Sequence, residues 1–316
     1  YREVADIHEL PEIAHYWSNR HLRPRLNSVF GTDGVADFFA RPLARCVAGG
    51  TPSDPAVVVS VGSGDASVEL AVARRLRELG APPFRIHCLE VSPVLLARAE
   101  EAVARAGLGD CFHLEATDLN RWSPSRRYAG AMAHHSLHHL VELERIFDGL
   151  AGALEPGGAF VANDMIGRNG HMRWPETLEV IERIWAFLDD RYKVNRQLRR
   201  LESEFVNWDC STEGFEGVRA QDILPLLIER FQFDAFLAVG GITDVFVDRS
   251  FGHNYDPDDA RDRAFIDFLQ YLNDQLIDSG AIKPTTLFAV ASVGSAGDSH
   301  RFFRHWDARH AVRPPG

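Results

Sequence analysis

The chain has 316 residues, 45% hydrophobic and 25% charged, enough for one large domain with insertions or two small ones. Its 34 basic and 45 acidic residues leave a net charge of -11, which repels nucleic acid and anionic membrane, so neither is expected as a partner. No apolar run approaches a membrane span and the four cysteines form no C-x-x-C pair, so a cytoplasmic protein with reduced thiols is expected.

Residues 1–50 read as a helical cap that can act as a lid. Ile7, Leu10, Ile13, Ala14 and Trp17 recur at helical spacing, and Val35, Phe38, Phe39, Leu43 and Val47 continue the pattern. Tyr16 and Trp17 place polar aromatic groups on this cap and are candidates to touch an acceptor. The linker Gly49-Gly50-Thr51-Pro52-Ser53-Asp54-Pro55 follows.

Val57, Val58, Val59 and Val61 then read as a buried parallel strand, ending in Gly62-Ser63-Gly64 and followed by an amphipathic helix. Strand, glycine turn and helix form a unit whose free N–H groups can face an anion and whose glycines admit a ligand to the backbone. The dinucleotide fingerprint asks for a third glycine where Ser67 stands, and Asp65 would repel a pyrophosphate while attracting an amino or sulfonium group. The second strand runs from Phe84 to Val91 and carries Glu90 near its end, placed to accept from ribose hydroxyls. Ser92-Pro93 opens the next helix. Cys111 to Ala116 forms the third strand, followed by Asp118-Leu119, and Tyr128 to Ala133 the fourth, followed by His134-His135-Ser136-Leu137-His138-His139. After Leu154-Glu155-Pro156-Gly157-Gly158 the fifth strand spans Ala159 to Met165.

Val61-Gly62-Ser63-Gly64-Asp65, Glu90, Asp118-Leu119, Ser136-Leu137-His138-His139 and Leu154-Glu155-Pro156-Gly157-Gly158, in this order, resemble the class I S-adenosylmethionine-dependent methyltransferases. The resemblance implies an α/β Rossmann-like fold, with a seven-stranded, mostly parallel sheet between helices. It implies S-adenosylmethionine as cofactor, with Gly62, Ser63, Gly64 and Asp65 at its methionine end, Glu90 at the ribose, Asp118 and Leu119 at the adenine, His134 beside the sulfonium, and Val91 also in the cofactor-binding set. Asp164, at the end of strand five, would point into the acceptor cleft.

The methyltransferase domain is expected over 51–293, with insertions at about 167–220 and 249–283 and a polar tail over 294–316. Phe233 to Gly240 and Thr285 to Ser292 complete the seven strands. Arg168 and His171 in the first insertion, and Arg249 and His253 in the second, are candidate acceptor contacts. His135 and His139 stand four apart, a metal-ligand spacing, but Ser136 occupies the position where the zinc-protease motif has Glu, so no metal is expected. His135, then His138, are the candidate general bases, with Asp164 as a third catalytic candidate. The expected activity is in-line methyl transfer to an oxygen or nitrogen of a small polar acceptor, a natural product or a sugar-like molecule, with a homodimer left open. The alternatives are a nicotinamide-dependent oxidoreductase and a non-catalytic S-adenosylmethionine-binding protein.

Overall fold

The computed structural model describes residues 10–32, 34–212, 214–294 and 301–313. Ile7 of the expected first helix lies outside them. α1 (Glu12–Trp17) runs through a π-helical turn at Ser18–Leu22 into α2 (Arg23–Phe30), and α3 (Val35–Cys46) follows. The valine run forms β1 (Ala56–Val61), buried on both faces as its continuous apolar pattern requires. Then come α4 (Ser67–Glu78), β2 (Phe84–Glu90), α5 (Pro93–Ala106), β3 (Phe112–Ala116), β4 (Tyr128–His134), α6 (Leu143–Ala153) and β5 (Leu154–Met165).

After β5 the first insertion holds α7 (Pro175–Phe187), the short hairpin β6 (Val194–Asn195) and β7 (Arg200–Leu201), and an irregular stretch that leads to α8 (Ala220–Arg230). β8 (Gln232–Val239), α9 (Thr243–Val247), α10 (Ala260–Asp278) and β9 (Thr286–Ser292) follow, and the chain ends in β10 (Arg301–Phe302) and α11 (Ala308–Ala311).

The main sheet has the order β10-β8-β9-β5-β4-β1-β2-β3. All neighbours are parallel except β9, which runs antiparallel to both β5 and β8. The expected count of seven is corrected to eight, because the tail returns to lay β10 along β8. Trp306, in that tail, is fully buried, so the segment is part of the body. A two-residue strand carries no periodic signal, which is why the sequence does not reveal it.

Helices α6, α8 and α11 cover one face of the sheet, and α2 to α5 cover the other. The boundary at residue 50 marks a linker rather than a separable cap. Phe38, Phe39 and Leu43 of α3 sit in the core against the sheet, and a Cβ added to Gly130 of β4 would lie 2.8 Å from the Leu43 side chain. A third core joins Ile13 of α1, Trp185 of α7, Phe246 of α9 and Ile266 of α10. The N-terminal helices and both insertions therefore share one apolar cluster. Along α10 the inward row is Ile266, Leu269, Asn273 and Ile277, whereas Phe268 is exposed.

Candidate active site

The first turn draws the glycine-rich segment onto its neighbours. Gly62 and Ser63 both donate backbone N–H groups to the Leu89 carbonyl, at 3.0 and 3.1 Å. Gly62 has φ +72°, and a Cβ there would come within 2.6 Å of Ser136 Cβ, so only glycine fits. Above Gly64, at φ +56°, a Cβ would meet open space, so the turn leaves a cradle there. The Glu90 carboxylate spans the floor of the cradle. It accepts from Gly64 N–H at 2.9 Å and from Ser92 N–H at 2.8 Å, fixing the turn to the start of α5. Both bonds are to backbone donors, and each oxygen keeps a lone pair for a ligand hydroxyl.

Asp65 accepts from Ser67 N–H at 3.1 Å, and Asp118 from Asn120 N–H at 3.1 Å; both act as turn residues and keep an oxygen outward. Leu119 is buried beside Gly62 and Val91 is exposed at the rim. His134 ends β4, its ring edge-on to Phe39 at 5.7 Å between centroids. These positions gather at the carboxyl ends of β1 to β4, where open α/β sheets bind ligands. The residues present therefore fit an adenosyl ligand with a charged amino-acid tail.

The loop after β4 is built around a buried carboxylate. Asp164 is fully buried and accepts from Ser136 N–H, Leu137 N–H and Met165 N–H at 2.7–2.9 Å, and from His138 Nδ1 at 2.5 Å. The Ser136 hydroxyl donates to the Val61 carbonyl at 2.5 Å, hooking this loop to the end of β1. Asp164 thus corrects the sequence expectation: it faces the loop it organises rather than the acceptor cleft, because four donors enclose it. Burial works against its charge, yet the His138 cation overrides this and holds the carboxyl well below the usual range.

The two base candidates separate by environment. His138 is buried, and although burial opposes its charge, Asp164 and Glu216 raise its pKa to about 9. It is therefore a cation at neutral pH, which corrects its reading as a free base. His135 lies at φ +48°, an uncommon backbone state for a non-glycine residue that turns it away from the strand. Its side chain is solvent-accessible but sunk among protein groups. Lost solvation lowers its pKa below the ordinary histidine value, with the Asp164 charge pulling the other way.

Glu216, from the irregular end of the first insertion, is the site residue that sequence reasoning missed. Its Oε1 lies 2.8 Å from His171 Nε2 and 3.4 Å from His138 Nε2, and these two hydrogen bonds hold its carboxyl well below the usual range. The available signal was an acidic residue set among glycines in Gly214-Phe215-Glu216-Gly217. The backbone braces the cluster: Val218 N–H donates to the His138 carbonyl at 3.0 Å and Gly170 N–H to the Gly217 carbonyl at 2.8 Å.

His171 also forms a wall of a cavity of about 560 Å³ within the first insertion. Arg173, Asn207, Trp208 and Phe205 line it with Asp248 and Phe251 from the second. Arg173 reaches Asp244 at 2.7 Å, which stiffens the wall. Of the expected acceptor contacts, only His171 is in this lining. Arg168 turns to the Arg173 carbonyl at 3.5 Å; Arg249 and His253 are exposed, Arg249 lying between lining residues Asp248 and Ser250. Tyr16 and Trp17 are engaged elsewhere, with Asp267 at 3.1 Å and Gln270 at 2.6 Å on α10, because the cap packs on that helix rather than over the cleft.

Among the described residues, no helix is long and apolar enough to cross a membrane. Residues 59–160 match the family described as a methyltransferase domain. A trans-aconitate 2-methyltransferase of Streptomyces avermitilis is 32% identical over 129 residues, which cover 39% of this chain and 45% of that protein, so less than half of the relative's length is matched. Among solved structures, the O-methyltransferase from a trans-AT PKS multienzyme of Brevibacillus brevis, in complex with S-adenosyl-L-homocysteine, is similar at 12% identity and a TM-score of 0.43, covering 80% of this chain and 71% of that one. The glycopeptide N-methyltransferase MtfA, complexed with sinefungin, is similar at 19% identity and a TM-score of 0.33, over 47% and 58% of the two chains. With the sheet order and the glycine turn already in place, residues 59–160 of this chain are similar to a methyltransferase domain, and the fold is that of the Rossmann-like S-adenosylmethionine-dependent methyltransferases.

Proposed function

We propose that the protein transfers a methyl group from S-adenosylmethionine to an oxygen or nitrogen of a small polar acceptor, such as a natural product or a sugar-like molecule. One observation carries this reading. Ser136 packs against Gly62 of the glycine turn, and His138 of the same loop lies 5.1 Å between ring centroids from His171, which lines the cavity, so one loop links the proposed donor and acceptor sites. When bound, S-adenosylmethionine supplies a methyl carbon on a cationic sulfur, open to in-line displacement by an acceptor lone pair.

The chain's own residues then have distinct tasks. Glu90 holds the ribose hydroxyls, and Gly62, Ser63, Gly64 and Asp65 receive the methionine end. Asp118 and Leu119 flank the adenine, and His134 stands beside the sulfur. His135 takes the proton that the acceptor releases, and positioning supplies the larger part of the rate. The cavity mixes aromatic faces with amide and charged groups, which suits a small polar molecule. The Streptomyces avermitilis relative, named for trans-aconitate, fits the same class of acceptor.

Calorimetric titration with S-adenosylmethionine, S-adenosylhomocysteine and NAD tests the cofactor assignment. Both sulfur ligands are expected to bind and NAD is not; the reverse pattern overturns the reading. Mass-spectrometric detection of methylated product, from a panel of small acids and hydroxylated compounds, then separates an enzyme from a binder.

A further inference from the structure

The imidazole–carboxylate cluster beside the cavity has the form of a metal site. We propose that His138 Nε2, His171 Nε2 and the Glu216 carboxylate bind a divalent first-row transition ion, with zinc the best chemical match. All three ligand atoms lie within 4.8 Å of one another. Two imidazoles and one carboxylate at tetrahedral bond lengths of 2.0–2.1 Å would stand about 3.3 Å apart. The Glu216 Oε1 distances of 3.4 Å to His138 and 2.8 Å to His171 bracket that value, so small side-chain rotations suffice.

Four further observations point the same way. His138 uses Nδ1 to donate to fully buried Asp164, which leaves Nε2, directed at Glu216, as the nitrogen that would exchange its proton for the ion. This carboxylate–histidine–metal relay is the support that metal-bound histidines ordinarily have. His171 sits at φ +56°, a backbone state adopted here with its ring directed at Glu216. Gly217 brings the carboxylate loop so close that a Cβ would lie 3.0 Å from Gly170 N, so the loop is clamped. Two carboxylates, Asp164 and Glu216, converge on the cluster, a concentration of negative charge that a divalent cation neutralises.

His139 stands outside the group whose ligand atoms lie within 4.8 Å of one another, and its Nδ1 donates to the Phe215 carbonyl at 2.8 Å. Three protein ligands leave a fourth coordination position for a non-protein ligand, and His171 sets the cluster beside the cavity it lines. There the ion would hold an acceptor oxygen and polarise it. That role rests on the methyl-transfer reading, whereas the site itself rests on the side chains alone.

A second group, His87, His113 and Glu115, lies at the β2–β3 edge. Its carboxylate lies 2.7 Å from His87 and 3.9 Å from His113, and behind the other His87 nitrogen stands the Tyr128 hydroxyl at 3.2 Å rather than a buried carboxylate. It serves as the internal control.

Cobalt(II) titration of chelator-stripped protein, followed by visible absorption and calorimetry, tests the site without any turnover. One ion per chain is expected, with zinc displacing the absorbing cobalt. His171→Gln and Glu216→Gln should each weaken binding by roughly tenfold or more, and His113→Ala should leave it unchanged. S-adenosylhomocysteine affinity and circular dichroism, measured on the same samples, keep loss of the metal distinct from loss of the cofactor or of the fold. No stoichiometric cobalt binding, binding that survives both His171→Gln and Glu216→Gln, or binding lost with His113→Ala would overturn the site. If the metal binds as expected but no sulfur ligand does, the methyl-transfer reading fails alone.

Discussion

Glu90 joins two loops through backbone donors and faces the cradle, so its loss removes a charged acceptor from the ribose position. Glu90→Ala is expected to weaken S-adenosylhomocysteine binding by roughly 1.5–3 kcal/mol, measured by calorimetry. His135 faces Asp164, His138, His139 and His171, its ring also meeting His134 at 4.7 Å. Because lost solvation lowers its pKa, the neutral base persists into mild acid, and kcat should fall only below the ordinary histidine range. His135→Ala should remove that acid limb and lower kcat while leaving cofactor affinity unchanged; equal losses in both would make it a cofactor contact. Under the glycine turn, Glu69 is buried with only the Ser60 hydroxyl as side-chain partner, and burial pushes its pKa up to about 7. The folded state therefore holds this proton more tightly than the unfolded chain, and stability declines as pH rises from the ordinary glutamate value towards 7. Glu69→Gln should match the parent near pH 5 and exceed it near pH 8 by roughly 1–3 kcal/mol in urea unfolding. At this scale Gly62, Gly64 and Glu90 were legible, because a tight turn and a strand-end carboxylate leave local marks. Asp164 was legible as a residue but not as a partner, since its four donors come largely from a loop 26 to 28 positions away.

At the scale of elements, α10 shows how one helix serves two neighbours. Its apolar row enters the third core, while Asp267, Gln270 and Asp274, three and four positions apart, form a polar row that faces the N-terminal helices. Arg20 and His21, brought round by the π-helical turn, converge on Asp267, and Arg25 grips Asp274 with two bonds of 3.0 and 2.6 Å. Arg25 and Asp274 are both buried, so removing one partner strands the other's charge. Asp274→Ala is expected to cost about 3–5 kcal/mol, read as a lower urea midpoint. The apolar periodicity of α10 revealed the helix in sequence. Its polar row was hidden because carboxylates on a helix read as solvent-facing until the opposing arginine is known.

Over the whole molecule, the first four strands were readable to within a residue, whereas β5 begins at Leu154, five residues before the strand expected from Ala159. β1 and β4 are apolar runs bounded by turn residues, while β2 and β3 mix charged with apolar positions. The eighth strand and the joint core of cap and insertions were not readable, because they depend on which distant surfaces meet. The cavity belongs to this class too: its walls come from residues 171–210 and 245–251, and no local pattern announces their convergence. The net charge of -11 is spread through many paired groups and leaves an acidic exterior, consistent with a small-molecule acceptor rather than a polyanion.

The grip of Arg25 on Asp274 also sets an order of events in time. The two residues are 249 positions apart, so the contact waits until nearly the whole chain has been synthesised and the sheet between them has formed. A contact closed that late is absent from the folding transition state. Asp274→Ala should therefore leave the refolding limb of a stopped-flow chevron almost unmoved and place its effect in faster unfolding. A refolding rate that fell in proportion to the lost stability would show instead that the N-terminal helices dock early.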